Sequence, residues 1–533
     1  MLAIALSLLA AAPAVKPITA AELRGHIGFL ASDLLEGRGP ATAGDRLAQQ
    51  YIASQFEAMG LEPGAPDGGW VQQVELVGVN GHPDKMKVQA RSSALELAFK
   101  DDFIVVSGHQ EKTSVIESAE LVFVGYGITA PEYKWDDLKG VDLKGKVLVV
   151  MNSDPEDDPS IFAGRARLYY GRWGYKFEQA QKRGAVGCLI IHTTPSAGYP
   201  WQVVQTSWSG EQFDLPAGSG SQLQLKGWIT EAASKRLLAL AGKDLDQLRV
   251  LANTRRFAPV RLGLTLSTTF TNVVARKVSG NVLGLLRGSD AQLKNEVVVY
   301  TAHHDHLGKK EGGVPGEDVI YNGAVDNASG VAAMLAIARS LSSQPQAVKR
   351  SVLFAAVAAE EQGLLGSQFL VEHPPFPLSR MAANLNLDGL NIWGRTRDIS
   401  VIGLGKSSLD GLIVELARQQ GRTVKPDALS DRGFFYRSDQ FNFAKAGVPS
   451  AYFSSGQEFI GRPENWGREQ REKWESMHYH QPSDELRDTW DFSGALEDVR
   501  LFHDLGLTVA NGVGMPTWTK GDEFEAARTG LTR

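Results

Sequence analysis

From about residue 260 onward the sequence alternates short apolar runs with amphipathic stretches: "NVLGLL", "EVVVYTAHHD", "GVAAMLAIARSLSS", "RSVLFAAVAAEE", "RMAANLNLD", "LDGLIVELARQQG" and "PSAYFSSG". The third and sixth carry apolar residues at helical spacing, and the others read as buried strands. Strand and helix in turn predict an α/β fold, a mostly parallel or mixed sheet with helices on both faces. At 533 residues the chain exceeds one ordinary hydrophobic core, so two domains are expected.

The texture differs upstream. Between residues 18 and 60, "ELRGHIGFLASDLLEGR" and "DRLAQQYIASQFEAMG" predict two amphipathic helices, the second stopping at Gly60. "WVQQVELVGV", "KMKVQARSS" and "FIVVSG" are β-like, and "AELVFVGYGI", "GKVLVVMN" and "GAVGCLIIH" form a further β-rich unit. The expected layout is a main domain split into 18–117 and 260–515, a β-rich insertion over 118–259 and a tail over 516–533. The opening "MLAIALSLLAAAPAVKP" ends in small residues suited to cleavage after Ala14, so 1–14 is expected to be a signal peptide and the chain periplasmic or secreted. No later run reaches the roughly 18 apolar residues of a membrane span, so no stable membrane insertion is expected. A net charge of -6 without a basic run gives no reason to expect a nucleic-acid partner. Cys188, the only cysteine, cannot form an internal disulfide and reads as a core residue.

The chemistry-bearing residues fall at strand ends. "EVVVYTA" runs into "HHDHLG", "YNGAVDNASG" leads Asp326 into a helix, "SVLFAAVAA" ends in Glu360 and Glu361, and "AANLNL" ends in Asp388. In open α/β sheets ligands bind beyond the carboxyl ends of the strands. A pair of zinc ions roughly 3.5 to 4 Å apart needs terminal histidines, one shared carboxylate and a further carboxylate for each ion. Neighbours in extended backbone point to opposite sides, so one glutamate of the pair can ligate while the other holds a water proton. The same alternation puts His303 and Asp305 on one side and His304 and His306 on the other. His303 is thus read as a ligand and Asp305 as its support. His304 and His306 have two open readings, packing or lining the substrate side. Of the two downstream histidines in "MHYHQPSDE", the context favours His480. In "FFYRSDQF" Arg437 and Asp439 are candidates for substrate positioning or for a structural loop, and "YYGRWGYK", Tyr169 to Lys176, for domain packing or the cleft wall.

In this order, "AHHDHLG", "NGAVDNASGVA", "AAEEQGLLGS", "NLNLDG", "RSDQFNFAKAGVPS" and "YHQPSDE" resemble the di-zinc aminopeptidase and glutamate-carboxypeptidase-like family of metallopeptidases, in particular its bacterial leucyl aminopeptidase-like members. The resemblance implies that His303, Asp326 and Asp388 bind one zinc ion and Asp326, Glu361 and His480 the other. It also implies that Asp326 bridges them, Glu360 is the general base and Asp305 supports the histidine site. The region 118–259 resembles a protease-associated domain. The implied activity is removal of N-terminal residues from peptides, with two Zn²⁺ as cofactors. The alternatives are a glutamate-carboxypeptidase-like peptidase, a single-zinc glutaminyl cyclase and a receptor-like ectodomain without catalysis. The filled ligand positions argue against the last. "TAHHDH" nearly matches the H-x-H-x-D-H pattern of metallo-β-lactamase-like hydrolases, but Thr301 stands where the first histidine belongs.

Overall fold

The computed structural model describes residues 16–155, 161–162, 164, 166–218, 222–310 and 312–531. The expected signal peptide, 1–14, lies outside the described residues. The described residues form two compact units, one drawn from residues 16–74, 279–427 and 438–531 and the other from 75–278 and 428–437.

The first unit opens with helices α1 (Ala20–Leu30) and α2 (Ala43–Ala58), each begun by a threonine hydroxyl that accepts a main-chain N–H of the first turn. Its sheet uses the end of β1 (Val260–Leu286), then β2 (Val297–His303), β3 (Ser351–Val357), β4 (Met381–Asn386), β5 (Asp398–Ile402), β6 (Thr423–Pro426) and β7 (Ser450–Ser455). Spatially the order is β1, β3, β2, β4, β7, β5, β6. The central β3, β2, β4 and β7 are parallel, while β1 and β5 join antiparallel at the two sides, so the sheet is mixed.

Strand period decides which face each residue serves. Val298, Tyr300 and Ala302 of β2 and Val352, Phe354 and Ala356 of β3 enter one core with α1, α2, α3 (Gly330–Ser342) and α5 (Ser493–Asn511), to which α4 (Leu409–Gln419) adds Ile413. Val297 and Val299, with Leu353 and Ala355, enter a smaller core with Leu370, Phe443 and Val448 on the opposite face. Both faces are covered, which is why these strands read as unbroken apolar runs. Tyr300 stacks on Phe354 with ring centroids 5.3 Å apart, and its hydroxyl donates to the Phe502 carbonyl of α5. Residue 506 must be glycine there, because a Cβ would lie 1.8 Å from that hydroxyl.

The second unit has its own core. Strands Val147–Met151, Gly187–His192 and Leu225–Thr230 are parallel neighbours, with Phe103–Val106 antiparallel beyond the last. Helices such as Trp173–Lys182 and Glu231–Leu240 accompany them, so the unit is α/β rather than only β-rich. It begins at Glu75, not at 118 as the sequence reading placed the insertion. The reason is non-local pairing: Gly78 lies opposite Phe213, and Val88 opposite Leu266. Lys176 belongs to the packing of this unit. Its buried ammonium donates to the carbonyls of Tyr126 at 2.6 Å, Ser153 at 2.8 Å and Tyr170 at 2.7 Å, and burial presses its pKa down to about 7. The expected tail, 516–533, is folded over its described part: Trp518 is buried and its indole N–H donates to the Gly447 carbonyl, ahead of a helix over Glu525–Leu531. Among the described residues no helix is long and apolar enough to cross a membrane.

Candidate metal centre

Because β2 lies between β3 and β4 and is parallel to both, the carboxyl ends of three strands stand side by side, about 4.8 Å apart per step. His303 ends the middle strand, Glu360 and Glu361 follow one neighbour and Asp388 the other. Nε2 of His303 is 3.2 Å from Asp326 Oδ1, 3.4 Å from Asp388 Oδ1 and 4.0 Å from Glu360 Oε2. Nε2 of His480 is 3.2 Å from Asp326 Oδ2 and 3.2 Å from Glu361 Oε2. The two oxygens of one carboxylate therefore face two histidines from opposite ends of the domain sequence.

Asp326 sits in the tight turn Ala324–Ser329, and its peptide bond to Asn327 is cis. Asp484, four residues beyond His480, holds this turn: its carboxylate accepts the N–H groups of Val325 at 3.0 Å and Asp326 at 3.1 Å, and its carbonyl accepts that of Ala324. Asn327 ties the turn to β4, donating to the Leu387 carbonyl and accepting from the Gly389 N–H. Ser438 donates to Asp388 Oδ2 at 2.6 Å and itself accepts from Asn386 at 2.7 Å. Each of these polar groups orients a carboxylate of the cluster.

The four residues of "HHDH" have different surroundings. Asp305 is fully buried, but its carboxylate serves the glutamate pair: Oδ1 accepts the Glu360 N–H at 3.0 Å and Oδ2 the Glu361 N–H at 3.4 Å. The His303 ring is 3.8 Å from that carboxylate and finds the Asp305 main-chain carbonyl at 3.2 Å instead. His304 lies on the far side, fully buried, with Nε2 2.9 Å from Asp45 Oδ1. It packs behind the cluster and does not line it, which corrects the substrate-side reading. His306 should share that side by period two, yet its Nδ1 is 2.6 Å from Glu361 Oε1. The strand ends at His303, so alternation lapses before residue 306. Glu360 and Glu361 do diverge, one toward His303 and the other toward His480, but a turn separates them: Ala359 has φ +53° and the Glu360 carbonyl accepts from Gly363 and Leu364. Asp439 is fully buried. Arg437 is exposed, falls in the other compact unit and lies with its guanidinium carbon 5.2 Å from the centre of the Phe434 ring.

The electrostatics are those of crowded carboxylates around buried imidazoles. Burial opposes charge on His303, but Glu360, Asp326 and Asp388 outweigh it and raise its pKa well above the usual value. His480 is likewise raised, to about 10, by Glu361 and Asp326 against burial. Burial holds Glu360 well above the carboxylate range, with repulsion from Glu361 and Asp388 added to it against the attraction of His303. Glu361 goes the other way, to about 2, because His480 and His306 overcome its burial. The two neighbouring glutamates are thus pushed in opposite directions, Glu360 by burial and carboxylate repulsion and Glu361 by two imidazoles. Burial and the nearby Asp388 and Asp305 push Asp439 up to about 7, against His303 and the Ser367 hydroxyl.

Two groups could each hold a cation: His303, Glu360 and Asp388, and His306, Asp326 and Glu361, the donor atoms of each lying within 4.8 Å of one another. His480 Nε2, Glu361 Oε1 and both ring nitrogens of His306 are buried and make no hydrogen bond of good geometry among the described residues, despite the close approaches above. Orphaned imidazole nitrogens facing carboxylate oxygens, in a nitrogen and oxygen donor set, fit zinc. Asp45, Asp484, Ser438 and Arg38 were missed from the sequence. All four stood in stretches already singled out, Asp484 inside "YHQPSDE", Ser438 inside "RSDQ", Arg38 at the end of "LASDLLEGR" and Asp45 at the start of "DRLAQQYIASQF", but none was given a role there.

The model of Peptidase family M28 matches residues 281–501, a stretch that carries every residue of both clusters. Aminopeptidase YwaD of Bacillus subtilis (strain 168) is 34% identical over 224 residues, 41% of this chain and 41% of that protein. The probable lipoprotein aminopeptidase LpqL of Mycobacterium tuberculosis is 32% identical over 182 residues, 31% of this chain and 35% of that protein. The matches thus span well under two thirds of these curated relatives. Among solved structures, an aminopeptidase from Aneurinibacillus sp. strain AM-1 is similar at 21% identity and a TM-score of 0.48, over 93% of this chain and 95% of that one.

Proposed function

We propose that this protein is a zinc aminopeptidase that removes N-terminal residues from peptides with two zinc ions. The observation that carries the reading is the Asp326 carboxylate, whose two oxygens each lie 3.2 Å from a different histidine. His303, Asp326 and Asp388 would hold one ion, and Asp326, Glu361 and His480 the other, with His306 backing Glu361. Zinc supplies a Lewis acid for the scissile carbonyl and an acidified water. Glu360 would take the proton of the attacking water on its carboxylate and return it to the leaving amine, from a position 4.0 Å from His303 Nε2. Asp305 fixes the main chain of Glu360, and so the direction from which that carboxylate works. Asp439, buried within the same unit as the cluster, is assigned to the substrate side. The inserted unit is read as a protease-associated domain, and residues 1–14 as an export signal.

The test is hydrolysis of aminoacyl-nitroanilides against N-blocked peptides, with metal quantified per chain. Two zinc ions and cleavage of free-amine substrates alone are expected. Cleavage of N-blocked peptides ending in a free carboxylate favours a carboxypeptidase, and one ion per chain favours a cyclase. Glu360→Gln should keep its metal and lose turnover by about 10² to 10⁴-fold. Full turnover in that variant refutes the role of Glu360.

A further inference from the structure

Arg38 lies outside the stretch matched by the family model, in the turn that follows α1, yet it reaches beneath the metal centre. Its side chain is 1% exposed. All of its hydrogen bonds go to main-chain carbonyls: Nε donates to His304 at 2.8 Å, Nη1 to Asn322 at 2.6 Å and to Leu30, and Nη2 to Gly323 at 3.0 Å. Its own carbonyl accepts the His306 N–H at 3.3 Å. No carboxylate lies within ion-pair distance of it among the described residues. A buried cation without a paired anion is expensive, and it persists here because the acidic cluster supplies the opposing field: burial lowers the guanidinium to about 10, while Asp305, Asp484, Asp326 and Glu361 support its charge.

The positions of those carbonyls matter more than their number. His304 stands between the ligand His303 and its neighbour Asp305. Asn322 and Gly323 lead directly into the turn that carries Asp326. The guanidinium is a rigid planar fork, so bonding these three of its four carbonyl partners at once fixes the distance between the His303 arm and the Asp326 arm. The chain closes around this fork. A Cβ on Gly37, which has φ +71°, would lie 2.2 Å from the Gly308 carbonyl oxygen, and Asn322 is itself anchored to the Ala31 carbonyl and to Asp33.

We propose that Arg38 is a positioning residue of the metal centre, setting the spacing between His303 and Asp326 and hence the affinity of the ion that uses both. The inference rests on the zinc reading above and deepens it, and the experiment keeps the two separable. Zinc affinities of both sites are measured on the metal-free full chain by competition with a chromophoric chelator, for the wild type, Arg38→Met and Arg38→Lys. A wild type that binds no zinc overturns the functional reading itself. With two ions bound by the wild type, Arg38→Met should weaken the ion held by His303, Asp326 and Asp388 by about 10 to 100-fold, the range for lost supporting contacts, and the ion on Glu361 and His480 less. Arg38→Lys, which keeps the charge but not the fork, should fall between. Unchanged affinities, or an equal loss at both sites that tracks a lowered Tm of the metal-free protein, overturn the proposal. Should Arg38→Met fail to fold, Arg38→Lys decides the question alone: wild-type affinity at both sites overturns it, and uneven loss supports it.

Discussion

Replacing Asp305 with asparagine separates what this buried carboxylate does for stability from what it does for the glutamate pair. Its better bond, Oδ1 to the Glu360 N–H at 3.0 Å, is retained when the amide oxygen takes that place. The amide nitrogen then faces the Glu361 N–H, 3.4 Å from the present oxygen, and two donors meet. A hydrogen bond to a charged group contributes about 1.5 to 3 kcal/mol, so one such contribution is lost. Asp305 is also a carboxyl whose pKa burial raises, so the asparagine escapes the burden of an ionised group in a fully buried place. The opposing contributions leave global stability within about 2 kcal/mol of wild type. The Glu360–Glu361 turn has no such compensation, and a displacement of about 1 Å in a reacting group lowers turnover about 10²-fold. The assay is steady-state hydrolysis of an aminoacyl-nitroanilide with urea unfolding on the same sample. A kcat lowered about 10²-fold, with KM within about twofold and a near-normal unfolding midpoint, is expected. A variant with kcat within about threefold of wild type refutes the assignment of Asp305 to the glutamate turn.

Other outcomes follow from single contacts. His480→Ala should lose one zinc equivalent, whereas His306→Ala should keep both ions and bind the one on Glu361 about 10-fold more weakly, both read by metal analysis after gel filtration. Gly323→Ala places a Cβ 2.2 Å from the Asp326 carbonyl oxygen and 2.6 Å from the His306 ring at φ +55°, so a loss of about 2 to 4 kcal/mol is expected from urea unfolding. In the second unit, burial raises Asp137 to about 7, and the folded state therefore binds its proton more tightly than the unfolded chain does. Stability from this group falls as pH rises from about 4 to 7, by about 4 kcal/mol in all, and Asp137→Asn should flatten the unfolding free energy over that same range.

Strand and helix in the main domain were legible because burial on both faces writes itself as unbroken apolar runs, and acidic residues at the ends of such runs stand out. Glu360, Glu361 and Asp388 were named that way, His303 from the strand end before them, Asp326 from the turn before a helix and His480 from its motif, and the six lie together. Period two read His304 and His306 alike, since it describes a strand and β2 stops at His303. The boundary of the inserted unit was misjudged because pairings such as Gly78 with Phe213 join distant segments, and local composition holds no record of them.

The sequence by itself determined the residue types of the centre and the sheet that gathers them, because donor chemistry and hydrophobic period are local properties. Only the tertiary structure decided which group supports which. Asp305 serves the glutamates rather than the imidazole, Asp484 holds the Asp326 turn, Asp45 takes His304, and Arg38 spans two arms of the site. Those are matters of direction and distance at the 3 Å scale of a hydrogen bond, fixed by how buried segments pack and not by the order of residues along any one of them.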